Sequence, residues 1–152
     1  VSAASDLDKK VSFSAWGNCM EFLSPSYESG RAHVATTDMM GDKGYNNSRS
    51  TGDLSDQDYT NDFGGTSAAT PIAAGVFGLM LSVNADLTRD EALGLVLSTA
   101  DKVHPNLANY GRTTGFSKKY GYGRINAEKA VRAAQVFRKY IKAPVKNKNI
   151  KM

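Results

Sequence analysis

One stretch limits what this chain can become. Residues 66–84 carry no charge, and the next charged side chain is Asp86. Within the stretch Ala68, Ala69, Ala73, Ala74, Gly75 and Gly78 alternate with Ile72, Val76, Phe77, Leu79, Met80 and Leu81. Such a pattern predicts a helix, and a helix apolar all round is one buried on all sides. Its small residues let neighbouring backbones come close. Structural layers must therefore lie around it. No uninterrupted apolar run approaches the roughly 18 residues of a membrane span, and the glycine content also speaks against one.

The remaining segments supply candidate layers. Thr88-Arg89-Asp90-Glu91 fits a capping box and predicts a second helix running to about Ala100. A third helix is expected to begin near Asn126 and to carry Ala127, Ala130, Val131, Ala134 and Val136 toward Tyr140. Short strands are expected over residues 1–4, 11–14, 20–23 and 33–37, the second because Val11-Ser12-Phe13-Ser14 alternates with period two. Residues 38–62, crowded with Gly, Asn, Ser and Asp, read as a long surface loop. Residues 101–124 read as loop and turn. The fold class is α/β. With 152 residues, 41% of them hydrophobic and 22% charged, the chain suffices for one globular domain.

Charge is concentrated at one end. Residues 138–152 hold six basic side chains and no acidic one; removing those six from the net charge of +4 leaves −2 for residues 1–137. The expected division is residues 1–137 as the globular segment and 138–152 as a basic helix end and tail. The tail reads as a solvated terminus, with binding to an anionic surface as the rival reading. No nucleic-acid partner is expected. Cys19 is the single cysteine and has no mate within the chain. Nothing at the N-terminus resembles a signal peptide.

The chemistry is concentrated in Gly64-Gly65-Thr66-Ser67-Ala68-Ala69-Thr70-Pro71. Two glycines precede the start of the apolar helix, where four N–H groups lack partners and the helix dipole favours negative charge. A serine there is open to two readings. It is an ordinary N-cap, or it is a nucleophile whose developing oxyanion is stabilised by a backbone N–H. Pro71 is expected to fall early enough that its missing N–H removes no intrahelical bond. The segment is not the Gly-x-Ser-x-Gly elbow, because Ala69 stands at the last glycine position.

Residues 65–76 resemble the nucleophile segment of the subtilase superfamily: Gly-Thr-Ser, three residues, Pro, then a helix of small residues. Residues 12–25 are similar to the strand pair before the family's Ala-Pro-Gly turn, here Ser24-Pro25-Ser26. Residues 120–127 resemble the entry to its last helix. Thr36-Thr37-Asp38 with Phe63-Gly64-Gly65 is similar to the kexin-like and calcium-dependent bacterial branches. The resemblance implies the C-terminal part of a subtilisin-type parallel-sheet fold with a buried central helix.

It also implies a serine endopeptidase acting on protein or peptide substrates. Ser67 would be the nucleophile, its N–H half of the oxyanion hole, and Thr66 and Gly65 would shape the approach. The family's catalytic Asp, His and oxyanion Asn match no position here; His33 and His104 fall where the family has no base. The implied partner is an N-terminal portion of the same protease, as a separate chain. A catalytically silent subtilase acting by binding is the rival. Calcium is an implied cofactor, with Glu21 as a candidate ligand; the Asp53, Asp56, Asp58 and Asp62 cluster reads as a solvated acidic loop. Cys19 stands where kexin-like proteases place a disulfide cysteine. Gly17 occupies a region where convertases carry an acidic residue for basic substrates. Processing from a zymogen and a secreted, periplasmic or cell-surface setting are further implications of the resemblance.

Overall fold

A computed structural model describes residues 1–30 and 32–140, with only the backbone given at 138–140. The rest of the basic tail lies outside the described residues.

The centre is built by the charge-free stretch, which forms α1 (Gly65–Val83). Beneath it lie two short parallel strands, β1 (Ser2–Ala4) and β2 (Leu23–Pro25), with Ser2 opposite Leu23 and Ala3 opposite Ser24. A third backbone segment extends this parallel layer at one residue: Leu23 N–H donates to Gly123 O at 2.8 Å, and Ile125 N–H donates to Leu23 O at 2.8 Å. A parallel layer needs cover, and the helices supply it: α1, α2 (Arg89–Thr99) and α4 (Ala127–Tyr140). A short α3 (Pro105–Ala108) lies in the segment expected to be only loop.

The main core gathers Ala73, Val76 and Met80 of α1, Val96 of α2, Ala130 and Ala134 of α4, and Phe22 just before β2. Met80 and Ala134 are fully buried. Burying a side chain of Met or Val size contributes about 1.5–3 kcal/mol. At the end of α1, buried Asn84 donates its amide to Ala134 O of α4 at 3.2 Å, which pins the two helices together. The predicted capping box is present: the Thr88 hydroxyl accepts from Glu91 N–H, and the Glu91 carboxylate accepts from Thr88 N–H at 2.8 Å.

Several expectations need correction. Residues 11–14 are a turn, closed by Ser14 N–H donating to Val11 O at 3.2 Å. Val11 and Ser14 are buried while Ser12 and Phe13 are exposed. Two of the chain's tertiary bonds select the turn: Val11 N–H donates to Ala3 O, and the Ser14 hydroxyl meets Ser2 Oγ at 2.6 Å. The long loop ends sooner than expected. Residues 59–63 form β4 (Tyr59–Phe63), antiparallel to β3 (Val34–Thr37), so the loop is the tip of a hairpin.

Two corrections concern α1. Among the described residues it is covered on one face only, through Ala68, Ala69, Ala73, Val76 and Met80; Pro71, Ala74, Leu79 and Leu81 on the other side are exposed. It is also long and apolar enough to cross a membrane by length and composition alone, contrary to the length argument. Its covered face packs against β1, β2 and α4.

Candidate active site

Two glycines of different conformation bring the chain into α1. Gly64 is the N-cap and is extended, and no side chain caps the helix. Gly65, the first helical residue, has φ +73°, the left-handed region that glycine enters without a steric cost. Ser67 is thus the third residue of the helix, not its cap. This removes the N-cap reading of the serine.

The Ser67 hydroxyl is exposed, and none of the described residues hydrogen-bonds to it. Thr66 is also exposed. The free N–H groups of this first turn and the dipole behind them favour an anion beside the serine. Pro71 is the seventh helical residue, later than expected. It therefore does remove an intrahelical bond, leaving the Ser67 carbonyl without its donor four residues on. Thr70 Oγ1 turns back to donate to Thr66 O at 2.8 Å.

Two contacts hold the glycine pair from the side of β2. Ser26 Oγ donates to Gly65 O at 2.6 Å. The Tyr27 ring lies against Gly64 so closely that a Cβ there would stand 1.7 Å from Tyr27 Cδ1. Sequence reasoning met Ser26 only as a departure from the family's Ala-Pro-Gly turn and passed over Tyr27.

The histidines are engaged elsewhere. His33, just before β3, stacks on Tyr27 with ring centroids 4.3 Å apart, and its Nδ1 is 2.6 Å from Asp62 Oδ1. His104 Nε2 is 2.7 Å from Leu7 O. Neither hydrogen-bonds to Ser67 among the described residues.

The acidic loop is stapled to itself. The Asp53 carboxylate accepts from Leu54 N–H at 2.8 Å, Asn61 N–H at 2.7 Å and Thr60 Oγ1 at 2.7 Å. Those bonds hold its pKa below the usual carboxylate value against the opposing desolvation. Asp58 accepts from Gly41 N–H and Asp56 from Asp58 N–H. No three His, Cys, Asp or Glu side chains converge on a cation position among the described residues. Glu21 is half-buried, and its own carbonyl accepts from Tyr122 N–H at 2.7 Å. A hard cation takes about six to eight oxygens, so Glu21 by itself does not constitute a site. Cys19 is an exposed free thiol.

Comparison with known proteins agrees with this geometry. The model of the subtilase family matches residues 1–123. Proteins named calcium-dependent protease, from Trichormus variabilis and from a Nostoc species, are each 40% identical over 139 residues, covering 88% of this chain and 20% of theirs. The kexin of Candida albicans is 38% identical over 77 residues, 49% of this chain and 8% of that one. The crystal structure of the Aeromonas sobria serine protease in complex with its chaperone superposes with a TM-score of 0.81 at 26% identity, over 88% of this chain and 28% of that chain. The chain thus spans about a fifth of the length of these two calcium-dependent proteases.

Proposed function

This chain belongs to the subtilase family, and on that premise we propose that residues 1–137 are the nucleophile-bearing half of a serine endopeptidase catalytic domain. Peptide bonds are hydrolysed through an acyl-enzyme on Ser67. The observation that carries this reading is the placement of Ser67: exposed, with no hydrogen bond to its hydroxyl among the described residues, on the first turn of a helix entered through two glycines.

The remainder of the site comes from an N-terminal portion of the protease, which supplies a His, an Asp and an oxyanion Asn. Ser67 Oγ attacks the scissile carbonyl carbon while its proton passes to that His. The carbonyl oxygen gains the charge and is held by the Ser67 N–H and the Asn. Collapse of the adduct releases the amine, which takes the proton from that His, and water, giving its proton to the same His, then frees the acyl group as Ser67 Oγ regains its hydrogen. The open face of α1 supports the same arrangement, since exposed Leu79 and Leu81 call for cover by another part of the fold.

Calcium enters as a structural ion. Two relatives are named calcium-dependent protease, and Glu21 would contribute one carboxylate to a site whose other oxygens lie outside this chain.

The test is labelling with a fluorophosphonate followed by mass analysis of every chain in the preparation. The expected result is an adduct on the Ser67 peptide, absent in Ser67→Ala, whose hydrolysis should fall by about 10⁴-fold or more. The same masses reveal whether the N-terminal portion travels as a companion chain. An intact assembly without an adduct is a silent subtilase that acts by binding.

A further inference from the structure

We propose that Ser26 is a positioning residue for Ser67, locking the peptide through which the chain enters the nucleophile's turn; this rests on the endopeptidase reading of Ser67.

The bond joins two positions far apart in sequence and both well placed for the purpose. Ser26 is 7% exposed, and its N–H donates to Ala4 O at 2.8 Å. The hydroxyl is therefore carried by the end of the parallel β1–β2 pair and not by the hairpin. Its 2.6 Å partner, Gly65 O, can only accept, so the serine donates.

Gly65 needs an external hold. Its φ of +73° is one of several that glycine adopts easily, and nothing lies within 4 Å of where a Cβ would stand. No side chain caps this turn. The Gly65 carbonyl is at the start of the helical ladder, and the Ser26 hydroxyl is a second donor to it that reaches in from outside the helix. A peptide unit is planar, so a hydrogen bond on Gly65 O also sets the direction of Thr66 N–H. That direction in turn sets how the chain arrives at Ser67, whose N–H and Oγ are the reactive pair.

The adjoining residue closes the other side. Tyr27 fills the space beside Gly64, and its ring is backed by His33 at 4.3 Å and Phe13 at 5.9 Å between centroids. Asp62 holds His33 in turn. Ser26 and Tyr27 thus grip consecutive glycines, one through a hydrogen bond and one through shape. A glycine at position 26, the residue the family resemblance leads one to expect, would leave the Gly65 carbonyl without this donor.

The test uses the complete protease with its N-terminal portion, as parent, Ser26→Ala and Ser26→Thr. Three quantities are read: the rate of fluorophosphonate labelling at Ser67, kcat and KM on a peptide substrate, and hydrogen exchange across residues 64–70. In Ser26→Ala the labelling rate and kcat should fall roughly ten- to hundredfold, KM should stay within about twofold, and the Thr66 and Ser67 amides should exchange faster. Ser26→Thr, which keeps the hydroxyl, should recover the parent labelling rate and exchange. Parent-like labelling and exchange in Ser26→Ala would overturn the proposal, as would a folded Ser26→Thr that behaves like the alanine variant. If the parent itself takes no adduct, the endopeptidase reading fails on its own, and the exchange contrast decides the positioning role: faster in Ser26→Ala upholds it, unchanged refutes it. Should Ser26→Ala not fold, Ser26→Cys, near in size with a weak donor, replaces it.

Discussion

The molecule holds its two halves together by different physics. Around α1, the helices α2 and α4 and the residue before β2 share a core of Phe22, Val76, Met80, Val96 and Ala134. The hairpin of β3 and β4 has no such core. Its long tip is fastened by side chains bonding to backbone: Asp53, Asp58, Asp38 and, above all, Asn46, whose amide donates to Leu54 O, Asp56 O and Tyr59 O. Apolar burial is long-ranged and couples distant segments, whereas a carboxylate or amide clasp stabilises only the loop that it closes. The lesson is one of division of labour. Ser67 sits at the seam: the core carries its helix, and the hairpin delivers the two glycines in front of it.

This contrast can be broken experimentally. The largest effect should come from the core. Phe22 is 2% exposed, and Phe22→Ala should lower global stability by about 3–5 kcal/mol, read as a shift of the whole urea unfolding curve. A loss confined to one segment would mean that the core is not a single cooperative unit.

Next comes the hairpin. Asn46 is 3% exposed, and Asn46→Ala leaves three carbonyls without its amide. A cost of about 1–3 kcal/mol is expected, yet it should register as faster hydrogen exchange within residues 38–58 and not as a shift of the global transition. A global shift of that size would erase the distinction between the halves.

The smallest effect sharpens the comparison at the edge of the core. Asp101 accepts from Lys129 Nζ at 2.6 Å, from Asn126 Nδ2 at 2.9 Å and from Arg124 at 2.9 Å, tying the end of α2 to the start of α4. Lys129 first, then Asn126 and Arg124, lower its pKa from 3.8 to about 2 against desolvation. The folded value lies below the unfolded one. The stabilisation is therefore complete above the unfolded pKa and is lost as pH falls from about 4 toward 2. It amounts to roughly 1–2 kcal/mol once partial exposure is allowed for. Asp101→Asn should flatten the dependence of unfolding midpoint on pH in that window; an unchanged slope would assign the acid sensitivity to other carboxylates.

Much of the fold was legible because local rules decided it. The Thr88 and Glu91 capping box, the extent of α2 and the onset of α4 all follow from side chains within one turn of each other. In the motif around Ser67 the two glycines have different reasons: Gly65 takes a backbone that ordinary residues resist, and Gly64 leaves room for the Tyr27 ring. What was misread depended on contacts distant in sequence. The period-two pattern at residues 11–14 became a turn because Val11 and Ser14 bond to Ala3 and Ser2. The strand β4 was hidden in a run of Asn, Asp and Tyr with weak alternation, and only its pairing with β3 makes it a strand. Pro71 was placed too near the helix start because the N-cap proved to be Gly64 and not Ser67.

By itself the sequence determined the class of the fold and the central helix, and it offered Ser67 as the candidate nucleophile. Those depend on composition, short-range periodicity and a compact motif. Only the tertiary structure decided which face of α1 the chain covers, that both histidines are bonded away from Ser67, and that Ser26 and Tyr27 clasp the glycines before it. The reason is separation along the chain: Ser26 and Gly65 lie 39 positions apart, and no local preference of either residue encodes a contact that packing alone brings about.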